Sequence, residues 1–297
     1  MTAAAKPFFR RVALIGVGLI GSSLARRMKR DGTAGHIAAA ARSKESLAKA
    51  KSLGFADSTS LDAAEVVADA DLVMLATPLG AYAEIAKAIA PFVKPGAIVS
   101  DVGSCKEVVL REVSPLMPKG VHVVPGHPVA GTEHSGPEAG FAELFEGRWC
   151  ILTPAAGTDA AAVDKIAALW RQCGMTVELM DAQHHDQVLA LTSHLPHLIA
   201  YTIVGTATDI GDELKKEVFK FSAGGFRDFT RIAASDPVMW RDIFLKNKDA
   251  VLEVLGRFSE DLTAMQRAIR KGEGKKLMDH FARTRAIRKG VIEAKQD

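Results

Sequence analysis

The chain has 297 residues, 48% of them hydrophobic and 25% charged, with a formal net charge of +3 at pH 7. This length exceeds the usual ~100–200 residues of one domain, which predicts two domains, and the composition excludes a disordered chain. So small a net charge carries no electrostatic footprint for a nucleic-acid partner. The three cysteines, Cys105, Cys150 and Cys173, have no metal-type spacing, so reduced thiols and a cytoplasmic location are expected. Residues 1–11 lack an apolar signal core, and no apolar run reads as long enough to span a bilayer, so no membrane partner is expected.

Residues 11–24 read as a short buried strand, a glycine turn and a helix that continues through Met28. Gly16, Gly18 and Gly21 have the GxGxxG spacing in the context it requires, after an apolar strand and at the start of a helix. Gly16 suits the tight turn, Gly18 the close approach of a pyrophosphate, and Gly21 the packing of helix on strand. The helix N-terminus then offers free N–H groups to the phosphates. A second strand over 36–41 ends without the carboxylate that holds the adenine ribose of NAD. Arg42 and Ser43 stand there instead, a guanidinium and a hydroxyl suited to a 2′-phosphate, which favours NADP. Arg42 stacked over adenine would leave NAD acceptable.

The alternation continues with strands over 71–76, 97–100 and 121–124, joined by helical stretches. Ser104 and Glu107 have capping-box spacing, so Ser104 reads as a helix N-cap that also faces the ligand edge of a parallel sheet. Strands over 148–152 and 175–180, around a helix over 159–173, are expected to extend the sheet. After the strand over 121–124, Pro125, Gly126, Pro128 and Gly131 forbid a helix and place His127 on a rigid loop. A histidine titrates near about pH 6.5, so at neutral pH it is a base able to take a proton from a substrate hydroxyl.

After Met180 long helical patterns replace the strands, over 182–205, 236–257 and 260–272. The fold class expected is therefore α/β: a Rossmann-type, mostly parallel sheet domain over 1–180, then an all-helical domain over 181–297. His194 and His197 share one helix face around Pro196, but no third ligand accompanies them and no metal is expected. Gly224 and Gly225 precede Arg227, Asp228 and Arg231. Arginine suits bidentate carboxylate binding, although Asp228 and Arg231 also have the spacing of a surface ion pair. Asp236-Pro237 is a good helix start, with Trp240 in the first turn and open to a plain core role.

Gly16-Val17-Gly18-Leu19-Ile20-Gly21, Asp101-Val-Gly-Ser-Cys-Lys106, Gly126-His-Pro-Val-Ala-Gly-Thr-Glu133, Ser193-His-Leu-Pro-His197 and the run from Gly224 to Trp240 together resemble the prephenate/arogenate dehydrogenase (cyclohexadienyl dehydrogenase) family of tyrosine biosynthesis. The resemblance covers nearly the whole chain. It implies NAD(P)-dependent oxidative decarboxylation of prephenate or arogenate, in a cleft between a Rossmann domain and a helical dimerisation domain. It makes His127 the catalytic histidine that bonds the ring hydroxyl and Ser104 the serine that orients it. Arg231 would hold a substrate carboxylate, with Thr132 and Glu133 at the pocket mouth and His197 as a second pocket histidine. Asp228, Gly224 and Trp240 would form the helical side of the pocket. The nucleotide contacts expected are Gly16, Val17, Gly18, Leu19, Ile20, Gly21, Arg42, Ser43, Thr77, Pro78 and Gly103. The missing acidic ribose ligand departs from many NAD-using members. The chain ends shortly after its helices, so no appended regulatory or chorismate-mutase domain is expected, and a homodimer through the helical half is. Two other readings stay open. One is another two-domain NAD(P) enzyme acting on hydroxyacids or imines, which the His127 loop and the Gly224–Trp240 run fit poorly; the other is a non-catalytic nicotinamide-nucleotide sensor, which would need an incomplete site.

Overall fold

The structure, a computed structural model, describes residues 7–209, 217 and 220–293; residues 1–6, part of the segment read as lacking a signal core, lie outside the described residues. Six parallel strands form the main sheet in the order β3-β2-β1-β4-β5-β6. They are β1 (Phe9–Ile15), β2 (Ala34–Ala40), β3 (Ser58–Ser60), β4 (Leu72–Leu75), β5 (Ile98–Asp101) and β6 (His122–Val124). The crossovers are α1 (Leu19–Arg30), α2 (Lys44–Ser52), α3 (Ala63–Val67), α4 (Tyr82–Ile89) and α5 (Glu107–Glu112). Successive side chains of a strand point to opposite faces, and the core divides accordingly. Val12, Leu14, Leu72 and Met74 pack into one apolar cluster, while Ala13, Ile15, Val73 and Leu75 pack into another. Both faces are covered, which is why these strands are continuously apolar.

After β6 the chain leaves this sheet. Strands β7 (Gly126–Val129), β8 (Trp149–Leu152) and β9 (Thr176–Leu179) form a separate three-stranded sheet, with β7 antiparallel to β8 and β8 parallel to β9. Sequence patterning had these strands extending the main sheet and His127 on a loop; His127 is instead a strand residue, paired with Ile151. The cause lies in Pro125-Gly126. Pro125 has no N–H, its carbonyl accepts from Thr153 N, and the Gly126 N–H donates to the Asp101 carboxylate, so the ladder with β5 stops there. Pro128 is tolerated because β7 is an edge strand. Helix α6 (Ala160–Gln172) connects β8 to β9.

The helical part begins with α7 (Ala182–Leu189), a π-helical turn (Ala190–His194) and α8 (Leu195–Asp209). Pro196 lacks the N–H that an unbroken α-helix needs, and the π turn ahead of it absorbs the defect. This continuous stretch, Ala182–Asp209, has 28 residues and a mean hydropathy of 1.4 over its most apolar window, which reaches the length and apolarity of a membrane span, contrary to the sequence expectation. Buried His185, Asp186 and His194 lie in its first half and bond to neighbouring elements, which ties that half into the fold. Further on come α9 (Gly224–Thr230), α10 (Pro237–Lys246), α11 (Lys248–Arg270) and α12 (Gly274–Glu293). The single helix expected over 236–257 breaks at Asn247, the C-cap of α10, whose side chain is drawn inward to Asp186 and His194. Met1–Lys248 and Asp249–Asp297 form two compact units.

A buried ion pair fixes the junction of the two sheets. The Lys106 side chain is 0% exposed; its ammonium lies 2.5 Å from Asp101 Oδ2 and 2.6 Å from the Gly126 carbonyl. Asp101 also accepts from Tyr82 Oη, Gly103 N and Gly126 N. Substituting Lys106→Met leaves this carboxylate buried without its cation, which should cost about 3–5 kcal/mol. A urea melt reads that as a large fall in midpoint; an unchanged midpoint would mean that Asp101 does not depend on the ammonium.

Candidate active site

The nucleotide cradle forms where β1 turns into α1. Gly16 has φ +103°, and a Cβ there would lie 2.3 Å from the Ala76 carbonyl oxygen, so only glycine fits. A Cβ on Gly21 would lie 2.3 Å from the Gly16 carbonyl oxygen, so helix and strand are in contact through bare backbone. Gly18 differs: it is the N-cap of α1, no side chain caps it, and a Cβ on it would meet nothing within 4 Å. Open space beside an uncapped helix start, with Val17, Leu19 and Ile20 flanking it, fits a nucleotide pyrophosphate. Across the turn, Thr77 and Pro78 end β4, and the Thr77 hydroxyl is buried with no partner, which suits a ligand contact. Gly103 N is held by Asp101 at 2.8 Å. At the end of β2, Arg42 is exposed, whereas Ser43 accepts from Ser46 N as the N-cap of α2. A ribose phosphate would therefore find the guanidinium first.

Strand β7 delivers His127, 7% exposed, to the carboxyl end of the main sheet. Its Nδ1 lies 2.8 Å from Nε2 of His185 on α7. His185 Nδ1 in turn lies 2.8 Å from Asp186 Oδ1. Asp186 also accepts from Lys106 N at 2.7 Å and Glu107 N at 3.0 Å, so this carboxylate from α7 holds the start of α5. Ser104 therefore does not cap that helix: the N-cap is Lys106, and Ser104 stays half-buried in the β5–α5 connection, two residues before Lys106. Burial, reinforced by the charges of His185, Lys106 and His194, holds His127 well below the ordinary histidine range. Burial also lowers His185, against the opposing pull of Asp186. Both imidazoles are neutral at neutral pH, the form in which a histidine accepts a proton.

A second group of polar and aromatic residues comes from α8, α9 and α10. Asn247 Nδ2 donates to the Asp186 carbonyl at 2.8 Å and lies 3.1 Å from His194 Nδ1, which links the two histidine groups. His194 is held at about 4 by burial. His197 stacks on Trp240 with ring centroids 3.6 Å apart, and its Nδ1 donates to the Ser193 carbonyl. The Nε2 atom of His194 and the indole N–H of Trp240 are buried without a partner. Arg231, just after α9, pairs with Glu133 at 3.5 Å and not with Asp228. Its side chain is 62% exposed, so this pair is weak. Thr132 accepts from His134 N in the same exposed loop. Gly224 and Asp228 lie on α9, and among the described residues neither bonds to the histidine cluster. Helix α10 is fixed to the nucleotide-binding half: Asp242 accepts from Gly80 N at 3.0 Å, and Lys246 pairs with Glu112 at 2.7 Å.

His185, Asp186, Lys106 and Asn247 escape sequence reasoning as site residues. A signal exists for two of them. Ala182, His185, Asp186 and Leu189 form the buried stripe of α7 at helical spacing, and two ionisable residues on such a stripe need partners. The thiols of Cys105 and Cys150 are pushed up by burial and that of Cys173 to about 12, so none is a nucleophile.

Residues 24–179 match the nucleotide-binding domain family of prephenate dehydrogenase, and residues 181–283 match its dimerization domain family. The chain is 42% identical to a cyclohexadienyl dehydrogenase of Zymomonas mobilis over 280 residues, 94% of this chain and 95% of that one. A crystal structure of prephenate dehydrogenase from A. aeolicus in complex with hydroxyphenyl propionate and NAD+ superposes with a TM-score of 0.88 at 34% identity, covering 98% of this chain and all, 100%, of that one. Arogenate dehydrogenase from Synechocystis matches with a TM-score of 0.78 at 25% identity, covering 95% and 99%. With both domain families matched in order and relatives aligned along almost its entire length, the chain belongs to the prephenate dehydrogenase family.

Proposed function

We propose that the protein is an NAD(P)-dependent dehydrogenase that oxidatively decarboxylates prephenate, arogenate or both, yielding 4-hydroxyphenylpyruvate or tyrosine. The observation that carries this reading is His127, a buried neutral imidazole at the carboxyl edge of a nucleotide-binding sheet, in a chain whose relatives are named for this reaction. Bound nicotinamide supplies the hydride acceptor. His127 takes the ring-hydroxyl proton as the carbinol C–H bond breaks, then returns it to the phenolic oxygen as the ring carboxylate leaves as CO2 and the ring becomes aromatic. No net proton is released. Ser104 orients the hydroxyl, and Arg231 exchanges Glu133 for a substrate carboxylate. His197, stacked on Trp240, and the unpartnered N–H groups of His194 and Trp240 line the other side, with Thr132, Gly224 and Asp228 towards the mouth.

NADP is the preferred cofactor on this reading. Its support is the exposed Arg42 at the end of β2, where no carboxylate stands to repel a 2′-phosphate. The protein acts as a homodimer through its helical half, a reading supported by the dimerization-domain match. We place the division between nucleotide-binding and helical domains at residue 180, supported by the family boundaries at 179 and 181. A cytoplasmic location suits three buried, unpaired thiols.

Offered prephenate or arogenate with NAD or NADP, the protein should reduce the nicotinamide, read by absorbance. His127→Asn should lose about 10²–10⁴-fold in kcat while still binding nucleotide, and full activity in that variant would make His127 structural. Because His127 is held below its ordinary range, kcat/KM should stay level as pH falls through about 6.5 and drop only at more acid pH. An acid limb at or above that value would mean a solvated base. Arg42→Glu should shift the NADP-to-NAD ratio of kcat/KM towards NAD at least about tenfold, corresponding to ~1.4 kcal/mol. An unchanged ratio would remove the guanidinium from cofactor choice.

A further inference from the structure

We infer that His185 and Asp186 are positioning residues which lock His127 in the tautomer that carries its hydrogen on Nδ1 and leaves Nε2 as the proton acceptor. The inference rests on the reading of His127 as the base and adds the atom through which it acts and the groups that select that atom.

The direction of every hydrogen bond in the chain follows from its far end. Asp186 is 1% exposed, and its two oxygens accept backbone N–H groups from Lys106 at 2.7 Å and Glu107 at 3.0 Å. A carboxylate so arranged only accepts, so the hydrogen in the 2.8 Å contact with His185 belongs to His185 Nδ1. A neutral imidazole carries one hydrogen, and His185 Nε2 is therefore a lone pair. That lone pair lies 2.8 Å from His127 Nδ1, so Nδ1 must donate. The remaining nitrogen of His127, Nε2, is left with its lone pair exposed to whatever occupies the cleft.

Two further consequences follow. When Nε2 takes a proton, the Nδ1–H bond to His185 becomes charge-assisted, and the developing charge is relayed towards the buried Asp186 carboxylate without a second proton moving. The tautomer is also fixed before substrate arrives, because α7 holds Asp186 against α5 and Asn247 clamps the Asp186 carbonyl. With Asn at position 186, the amide oxygen takes the Oδ1 place, where it accepts from both Lys106 N and His185 Nδ1, and the NH2 group faces Glu107 N. The hydrogens of the chain would keep their places, but the carboxylate charge that stabilises a protonated His127 would be gone. Loss of the carboxylate in a comparable imidazole–carboxylate pair costs about 10⁴-fold in kcat.

The test is long-range proton–nitrogen NMR of the full-length, histidine-labelled protein near neutral pH, with the His127 signals assigned through His127→Gln, alongside steady-state kinetics. Wild type should have the hydrogen on Nδ1 of His127. Asp186→Asn should leave it there, His185→Leu should release it, and both variants should lower kcat by about 10²-fold or more with KM changed less than about threefold. His185→Gln, whose amide oxygen can still accept from His127 Nδ1, should recover kcat to within about tenfold of wild type. A wild-type His127 with its hydrogen on Nε2 would overturn the inference, and so would a His185→Leu protein with wild-type tautomer and kcat. Should Asp186→Asn not fold, the wild-type spectrum and the His185 pair still decide. Wild type that oxidises neither substrate with either nucleotide would defeat the dehydrogenase reading, while its spectrum would still judge the tautomer.

Discussion

The buried ammonium of Lys106 is the constraint on which the rest of the site depends. A cation with no solvent exposure must be matched by charge and hydrogen bonds, and Asp101 with the Gly126 carbonyl supplies both. Asp101 ends strand β5 of the main sheet, and Gly126 opens β7, so one side chain joins the main sheet to the small one. The amide of Lys106 meanwhile binds Asp186, which brings α7 to the same place. Three elements distant in sequence thus converge on one residue, and His127 is the next residue along β7 from one of its ligands. The position of His127 follows from satisfying the buried charge of Lys106.

The chemistry follows from burial. Histidines 127, 185 and 194 sit in surroundings that disfavour their charged forms, with Lys106 adding a fixed positive charge beside two of them. Such a site keeps imidazole neutral and ready to accept a proton. Groups suited to anions lie elsewhere: the uncapped start of α1, the exposed Arg42 at the end of β2, and the exposed Arg231. Helix α10 carries Trp240 to His194 and His197 and is tied to the nucleotide-binding half by Asp242 and Lys246, so the histidines and the nucleotide half share one bonded frame.

The nucleotide half is legible in the sequence because its signals are local. Gly16, Gly18 and Gly21 mean what they mean within six residues of chain, and the apolar strands report their burial by composition alone. The His127 sheet is not legible in this way. Proline and glycine around His127 forbid a helix, but only the competition for the Gly126 N–H between a ladder and the Asp101 side chain decides that a second sheet begins there. Ser104 shows the same limit: its capping-box spacing is real, yet a carboxylate 80 residues beyond Lys106 binds the helix start, and the helix begins with Lys106 as its N-cap. His185 and Asp186 are ordinary polar residues until the stripe Ala182, His185, Asp186 and Leu189 is seen to face the core. In each case a partner far away in sequence decides between local alternatives.

The most direct measurement of the central claim is the ratio of CO2 released to nicotinamide reduced during turnover of prephenate or arogenate. A site in which His127 removes the hydroxyl proton while hydride leaves and the ring aromatises predicts one CO2 for each reduced nicotinamide throughout the time course. Reduced nicotinamide accumulating without CO2 would mean that the cleft oxidises a simple alcohol or amine, and would contradict the account.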